Sequence, residues 1–294
     1  MGISSIIKNQ GDSLMGIDIE LTYFTIKGKG VKGYLKSIFR LRNILSENNY
    51  DIIHAHYSLS AFVASLAQAN PLVVSLMGSD VKSKGYYRFI IKFFHNFYWA
   101  RTIVKSEDMK ISLGIKDLEI IPNGVNFNIF KPIDYQIALK ETKWNNTKKH
   151  VLFAANPIRY EKKFNLAKKA FLLLEDNNIE LHSLDNVPNK KMPYFFNASD
   201  VVLLTSLWEG SPNVIKEAMA CNACIVSTDV GDVKDIIRET NGCYIAERDP
   251  NDIANKIRMA LDYGKERTGR NDIKYLDSRI IANRIIKLYN SILD

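Results

Sequence analysis

Two glutamates with seven residues between them, Glu209 and Glu217, flank a helix-start pattern. The chain there reads Ser206-Leu207-Trp208-Glu209-Gly210-Ser211-Pro212-Asn213-Val214-Ile215-Lys216-Glu217. Serine followed by proline predicts a side-chain cap at Ser211 and a first helical position at Pro212, where proline's missing N–H is not needed. The N–H groups of Asn213 and Val214 would then point out of the helix end, where they can hold a phosphate. Carboxylates on both sides suit a ligand with hydroxyls on both sides of its phosphates, one accepting from a sugar and the other from a ribose. On spacing alone, a solvated helix glutamate and a plain loop charge explain the same pair.

Other reactive residues carry less. Cys221-Asn222-Ala223-Cys224 has redox spacing, but it falls in a helix-to-strand turn without a second zinc-type pair. His54 and His56 sit on one face of a short strand, with no third ligand evident nearby, so cleft lining is favoured over a metal. No Asp-x-Asp run of the kind that holds a metal-bound sugar nucleotide occurs. The expectation is no metal and no cofactor.

Positioning these residues requires a repeating scaffold, and the sequence alternates short apolar runs with helical patterns. Strand-like runs occur at 17–24, 51–55, 72–76, 102–104 and 119–121, then at 151–155, 180–184, 201–205, 224–227 and 244–246. Residues 32–48 read as a helix with Tyr34, Leu35, Ile38, Leu41 and Leu45 on one face. Strands alternating with helices imply parallel sheets covered on both faces, an α/β class. The 294 residues favour two domains. The polar stretch 123–148 ends the first series, which gives a domain at 1–135 and another at 136–294, the last helices crossing back to the first. Ligands in such sheets sit at the carboxyl ends of the strands. Glu209 and Arg159 both follow a strand.

Composition excludes other classes. The chain is 46% hydrophobic and 24% charged, with three cysteines and a net charge of +8. Disorder and a disulfide scaffold are out, and the mild positive excess suits an anionic ligand or membrane surface better than nucleic acid. Without a secretory-type leader or a run long enough to span a bilayer, the expected location is cytoplasmic, peripheral at the inner face of the plasma membrane.

Glu209 and Glu217, with Gly210, Pro212 and Asn213 between them, resemble the E-x(7)-E signature of glycosyltransferase family 4, of the bacterial surface-polysaccharide type. Asp51-Ile52-Ile53-His54-Ala55-His56-Tyr57, Val74-Ser75-Leu76-Met77-Gly78-Ser79-Asp80, Ile121-Pro122-Asn123-Gly124-Val125-Asn126 and Asp229-Val230-Gly231-Asp232 resemble further family segments in the family's order. The resemblance implies the GT-B fold, two doubly wound Rossmann-like domains facing a cleft, and a retaining, metal-independent hexosyl transfer. By match, Glu209 contacts the transferred sugar, Glu217 the nucleotide ribose, and Pro212, Asn213 and Val214 the sugar and diphosphate. Lys162 and Arg159 would neutralise the diphosphate leaving group, Arg159 lying closer to Lys162 than the usual arginine. Gly2 resembles the glycine of a donor-binding loop. The donor is a UDP- or GDP-linked sugar, and the acceptor a lipid-linked or polysaccharide glycan. In retaining relatives the donor phosphate itself takes the acceptor proton.

Two departures stand out. Met77 occupies the place of a histidine that many relatives aim at the reacting sugar, so Asp80, His54 or His56 must take over its acceptor-side contacts or the branch does without them. The hydrophobic strand expected before Gly2 is missing, which points to an upstream start or a damaged copy. A non-catalytic GT-B subunit that binds a nucleotide sugar or a partner is the alternative function. Residues 85–101 are dense in aromatics, with Lys82, Lys84, Arg88, Lys92 and Arg101 around them. Positions 86, 90, 93, 94 and 97 predict one helical face, either buried in the core or lying in a membrane interface.

Overall fold

The computed structural model describes every residue except 1, 2, 18, 29, 82–84, 185, 186, 239 and 264–266, so Gly2, Lys82 and Lys84 lie outside the described residues. In chain order the elements are α1 (Ser5–Met15), α2 (Gly30–Glu47), β1 (Ile53–His56), α3 (Ser58–Leu66), β2 (Leu72–Ser75), α4 (Gly85–Tyr98), β3 (Arg101–Val104), α5 (Glu107–Leu113) and β4 (Glu119–Ile120). There follow α6 (Tyr135–Thr142), β5 (Lys149–Phe153), α7 (Phe164–Leu172), β6 (Ile179–Ser183), α8 (Met192–Ala198), β7 (Val201–Leu204), α9 (Asn213–Ala220) and β8 (Cys224–Thr228). The chain closes with α10 (Val233–Ile237), β9 (Cys243–Ala246), α11 (Pro250–Leu261), α12 (Gly269–Asp272) and α13 (Ser278–Leu293).

Residues up to Gly124 together with Ser278–Asp294 form one compact unit, and Val125–Asp277 form the other. The division falls at Gly124–Val125 instead of 135–136 because the irregular stretch after it is packed into the second unit. Val125 N donates to Leu276 O at 2.9 Å, and Arg270 donates to the carbonyls of Phe127 and Phe130. Helix α13 is grouped with the first unit.

The first unit holds a four-stranded parallel sheet in the order β1-β2-β3-β4. Among the described residues no strand precedes β1. The described residues among 17–24 lie in no strand, against the alternation read from the sequence. Phe24 and Ile26 instead tuck against the unit's core. Alternation reports which side chains are buried; a strand also needs a neighbour to bond, and none is present beside this segment among the described residues.

Two helix faces also differ from expectation. In α2, Gly33, Ser37 and Leu41 are buried with Tyr34 and Ile38 beside them, while Leu35 is 51% exposed. In α4, Ile91 is buried and Tyr87 and Phe94 pack on the core. Tyr86, Phe89, Phe93 and Phe97 face solvent, two of them above 70% exposed. The inward triplet 87, 91, 94 already satisfies an i, i+4, i+7 stripe, so the outward aromatics have no core to enter.

The second unit holds a five-stranded parallel sheet in the order β6-β5-β7-β8-β9. Strand β7, Val201-Val202-Leu203-Leu204, is buried throughout, as a parallel strand covered on both faces must be. Its neighbours β5 and β8 are also almost wholly buried, which fixes the loops leaving their carboxyl ends.

Candidate functional site

Three loops at the carboxyl ends of β5, β7 and β8 are joined in the second unit. Thr205 Oγ1 donates to the Lys162 carbonyl at 2.9 Å, and Leu207 N donates to the Glu161 carbonyl at 2.8 Å. Thr228 Oγ1 donates to the Ser206 carbonyl at 2.9 Å. All of Thr205, Ser206 and Thr228 are buried. These side chains saturate the loop carbonyls that the sheet cannot reach.

On this frame the structure places Lys162 and Glu209 together. Lys162 Nζ donates to Glu209 Oε1, which also accepts from Ser206 Oγ at 2.8 Å. The two side chains are only 10% and 16% exposed, so the pair is largely withdrawn from water. Arg159 is not gathered with them. It is 60% exposed, and its Nε donates to Glu161 Oε1 at 2.6 Å, so its charge is already matched by a neighbour.

The start of α9 differs from the sequence reading. Pro212 is the cap residue and no side chain caps the helix. Ser211 Oγ donates instead to Asp232 Oδ2 at 2.5 Å and accepts from Lys216 Nζ. Lys216 is fully buried, with Asp232 Oδ2 at 4.0 Å. Burial lowers the Lys216 ammonium and raises the Asp232 carboxyl from their usual ranges. A buried charge needs partners more than a helix-end amide does, because water or a ligand can serve the amide. The hydroxyl goes to the charges. The first turn of α9 turns its amide ends, and the helix's positive end, toward the loop that carries Glu209.

Gly231, at φ +58°, closes the site from the β8 side. A Cβ there would stand 2.6 Å from the Gly210 carbonyl oxygen, so the backbone of the Glu209–Gly210 loop rests directly on a glycine. Glu217, half-buried on α9, has its carboxyl pushed up to about 8 by burial, with Lys216 opposing the rise. Neither Lys216 nor Ser206 was singled out from the sequence. Lys216 is one residue from Glu217 and reads as an ordinary helix lysine until its burial is seen.

In the first unit the expected acceptor-side residues are differently engaged. Asp80 is 1% exposed and accepts from the backbone N–H groups of Ser58, Met77 and Gly78 at 3.1, 3.0 and 2.9 Å. It organises the loop after β2, which carries Met77. His54 bonds Tyr289 Oη through Nδ1 at 2.6 Å and Ser75 Oγ through Nε2 at 2.9 Å, so both ring nitrogens are used. His56 stacks on His54 with ring centroids 4.4 Å apart. Burial holds both imidazoles neutral, His54 well below its usual range and His56 down to about 3, with Lys105 adding to the effect. The cysteines Cys221 and Cys224 are free and buried, and burial pushes the Cys221 thiol up to about 12, which makes it a poor nucleophile.

The pattern described as "Glycosyl transferases group 1" matches residues 146–263, and that described as "Glycosyl transferase 4-like" matches residues 3–107. Together they span every strand except β4 and the loops that carry Asp80, Lys162, Glu209 and Gly231. The chain belongs to glycosyltransferase family 4. Among curated relatives, the glycosyltransferase is 28% identical over 310 residues to an N,N'-diacetylbacillosaminyl-diphospho-undecaprenol alpha-1,3-N-acetylgalactosaminyltransferase of Campylobacter jejuni, covering 88% of this chain and 82% of the relative. It is 27% identical over 275 residues to a UDP-Gal:alpha-D-GlcNAc-diphosphoundecaprenol alpha-1,3-galactosyltransferase of Escherichia coli, covering 78% and 70%. Among solved structures, Anabaena Alr3699/HepE in complex with UDP and glucose superposes with a TM-score of 0.71 at 15% identity, covering 96% of this chain and 89% of that one. The likeness is one of fold, the GT-B fold of two parallel-sheet Rossmann-like domains. A nucleotide-sugar donor is the substrate of this enzyme class.

Proposed function

We propose that this glycosyltransferase moves a sugar from a UDP-sugar, with retention, onto a sugar carried by a diphosphopolyprenol. The observation that carries the proposal is the Lys162–Glu209 pair, assembled from two loops beside the α9 start that bears Glu217. Lys162 has three N–H donors and spends one on Glu209, leaving others for a diphosphate oxygen. The α9 amides offer the same oxygens uncharged donors. Glu209 accepts from the sugar hydroxyls and Glu217 from the ribose. As the bond from the anomeric carbon to the diphosphate breaks, the acceptor hydroxyl oxygen bonds that carbon on the same face, and the departing diphosphate oxygen takes its proton. UDP leaves. Fixed positive charge at the leaving group stabilises the charge that develops there.

The acceptor class rests on the two curated relatives, which act on undecaprenol-linked substrates, and on the surface of the first unit. No helix among the described residues is long and apolar enough to cross a membrane. Helix α4 presents Tyr86, Phe89, Phe93 and Phe97 to solvent, and α2 presents Val31, Leu35 and Phe39 with Lys32 and Lys36 among them. Exposed aromatics and basic amphipathic faces suit an anionic bilayer surface, where a lipid-linked acceptor resides. His56 is the acceptor-side histidine left with fewer bonds than His54.

The test is transfer from a panel of UDP- and GDP-sugars to short-chain diphosphoprenol-linked N-acetylhexosamines, with product linkage read by NMR. An α-linked product from a UDP-sugar is expected. Absence of both transfer and donor hydrolysis, with UDP still raising the melting temperature, would favour a nucleotide-binding subunit instead.

A further inference from the structure

Away from the loop that carries Glu209, near the amino end of β5 and along β6, three ligating atoms converge. The register sets His150 opposite Glu180, and His182 two residues along the same strand. His150 Nδ1 lies 3.0 Å from His182 Nε2, which lies 3.7 Å from Glu180 Oε2; the third side, His150 Nδ1 to Glu180 Oε2, is 4.0 Å. A triangle with those sides has its circumcentre about 2.1 Å from every corner, the ligand distance of zinc to imidazole nitrogen and carboxylate oxygen.

The surroundings orient each ligand. His150 Nε2 is 2.9 Å from the Asn145 carbonyl and must donate to it, which leaves Nδ1 with its lone pair facing the triangle. Lys148 Nζ holds Glu180 Oε1 at 3.0 Å, so Oε2 is the oxygen turned inward, although the same ammonium opposes an incoming cation. The indole of Trp144 stacks on His182 with centroids 3.8 Å apart and planes 13° from parallel. His150 is fully buried, while Glu180 and His182 are 33% and 19% exposed, which opens one side to a water as fourth ligand.

We infer that His150, Glu180 and His182 form a binding site for a borderline divalent transition ion of the zinc class. His150 and Glu180 stand at the second positions of β5 and β6, away from the carboxyl-end loop that carries Glu209, so the ion's role is structural: it ties β5 and β6 together beside the Trp144 side chain.

The experiment strips the full chain with chelator and titrates it with Co2+, reading visible absorption and tryptophan emission. One saturable Co2+ per chain is expected, with emission quenched in step and restored when Zn2+ displaces it. Glu180→Gln and His182→Gln should each weaken Co2+ by more than about tenfold, the lower end of what loss of even an outer partner costs. Trp144→Phe should keep the absorption and lose most of the quenching, which locates the ion even if a ligand variant fails to fold. No saturable absorption in the wild type overturns the site. So does affinity unchanged in both ligand variants, which would place the ion at other side chains.

Discussion

Lys162 and Glu209 stand 47 positions apart in the chain, yet Lys162 donates to the same Glu209 oxygen that accepts from Ser206. The cation proposed for the leaving group and the carboxylate proposed for the sugar are therefore one hydrogen-bonded unit. Glu209→Gln should lower turnover by one to several powers of ten, at about 1.4 kcal/mol for each tenfold, while UDP affinity stays near that of wild type. Titration calorimetry with UDP beside a transfer assay checks both halves. Equal loss of UDP binding in Glu209→Gln and Glu217→Gln would sink the division of labour.

Glu217 should act through the nucleotide. Its replacement by glutamine removes a hydrogen bond to ribose, about 0.5–1.5 kcal/mol while the carboxyl is protonated and about 1.5–3 kcal/mol once it is ionised, so UDP and intact donor should weaken together. Its titration gives a second readout. Burial holds the carboxyl up to about 8, whereas an unfolded glutamate titrates near ~4.3. Between those values the unfolded chain has released a proton that the folded chain keeps. Stability should fall as pH rises through that window and level off above it. Calorimetric melting across the window should show Glu217→Gln with a flatter decline than wild type. An identical slope in both would show that this carboxyl is not the group responsible.

Gly231→Ala should damage the donor site from outside it. A residue with a side chain in the left-handed region costs about 1–2 kcal/mol, and the new Cβ would meet the Gly210 carbonyl at 2.6 Å. The expected result is a lower melting temperature and a reduced kcat, because the loop carrying Glu209 must shift. Unchanged kinetics would mean that the loop position does not matter to transfer.

Asp80→Asn separates a structural from an acceptor-side role. The variant keeps one acceptor oxygen where three backbone amides now bond a buried carboxylate, so a loss of about 1–3 kcal/mol of stability is expected. UDP affinity at the second unit should not move. If melting is unaffected and only the KM for acceptor rises, Asp80 contacts the acceptor after all.

The aromatic face of α4 should carry membrane binding. Phe89 and Phe97 are 72% and 71% exposed, and burying each in an interface is worth at most about 1.5–3 kcal/mol. Phe89→Ser combined with Phe97→Ser should reduce cosedimentation with anionic vesicles by more than about tenfold without lowering the melting temperature. Equal sedimentation of variant and wild type would leave these rings without that role.

The sequence by itself determined the parallel α/β scaffold, nine of its strands and the order of the family's segments. Apolar runs such as Val201–Leu204, set between helical patterns, fit buried parallel strands, and the glycine- and proline-bearing stretch after it fits a loop leading into a helix. It also put Lys162 and Glu209 in the stretches that follow β5 and β7 and Glu217 on the next helix, because these segments are local to the strand that precedes them. What tertiary structure decided is which partner each polar group takes. Ser211 reads as a cap and serves a buried Lys216–Asp232 pair; Asp80 reads as a cleft carboxylate and is spent on three amides; Arg159 reads as a phosphate ligand and meets Glu161. Residues 17–24 alternate as a strand should, yet the described ones among them lie in no strand. Periodicity records which way a side chain faces, and that is a local property of the backbone. Desolvation and pairing depend on groups brought in from tens of positions away, as Lys162 and Ser206 are brought to Glu209, so only the folded chain fixes them.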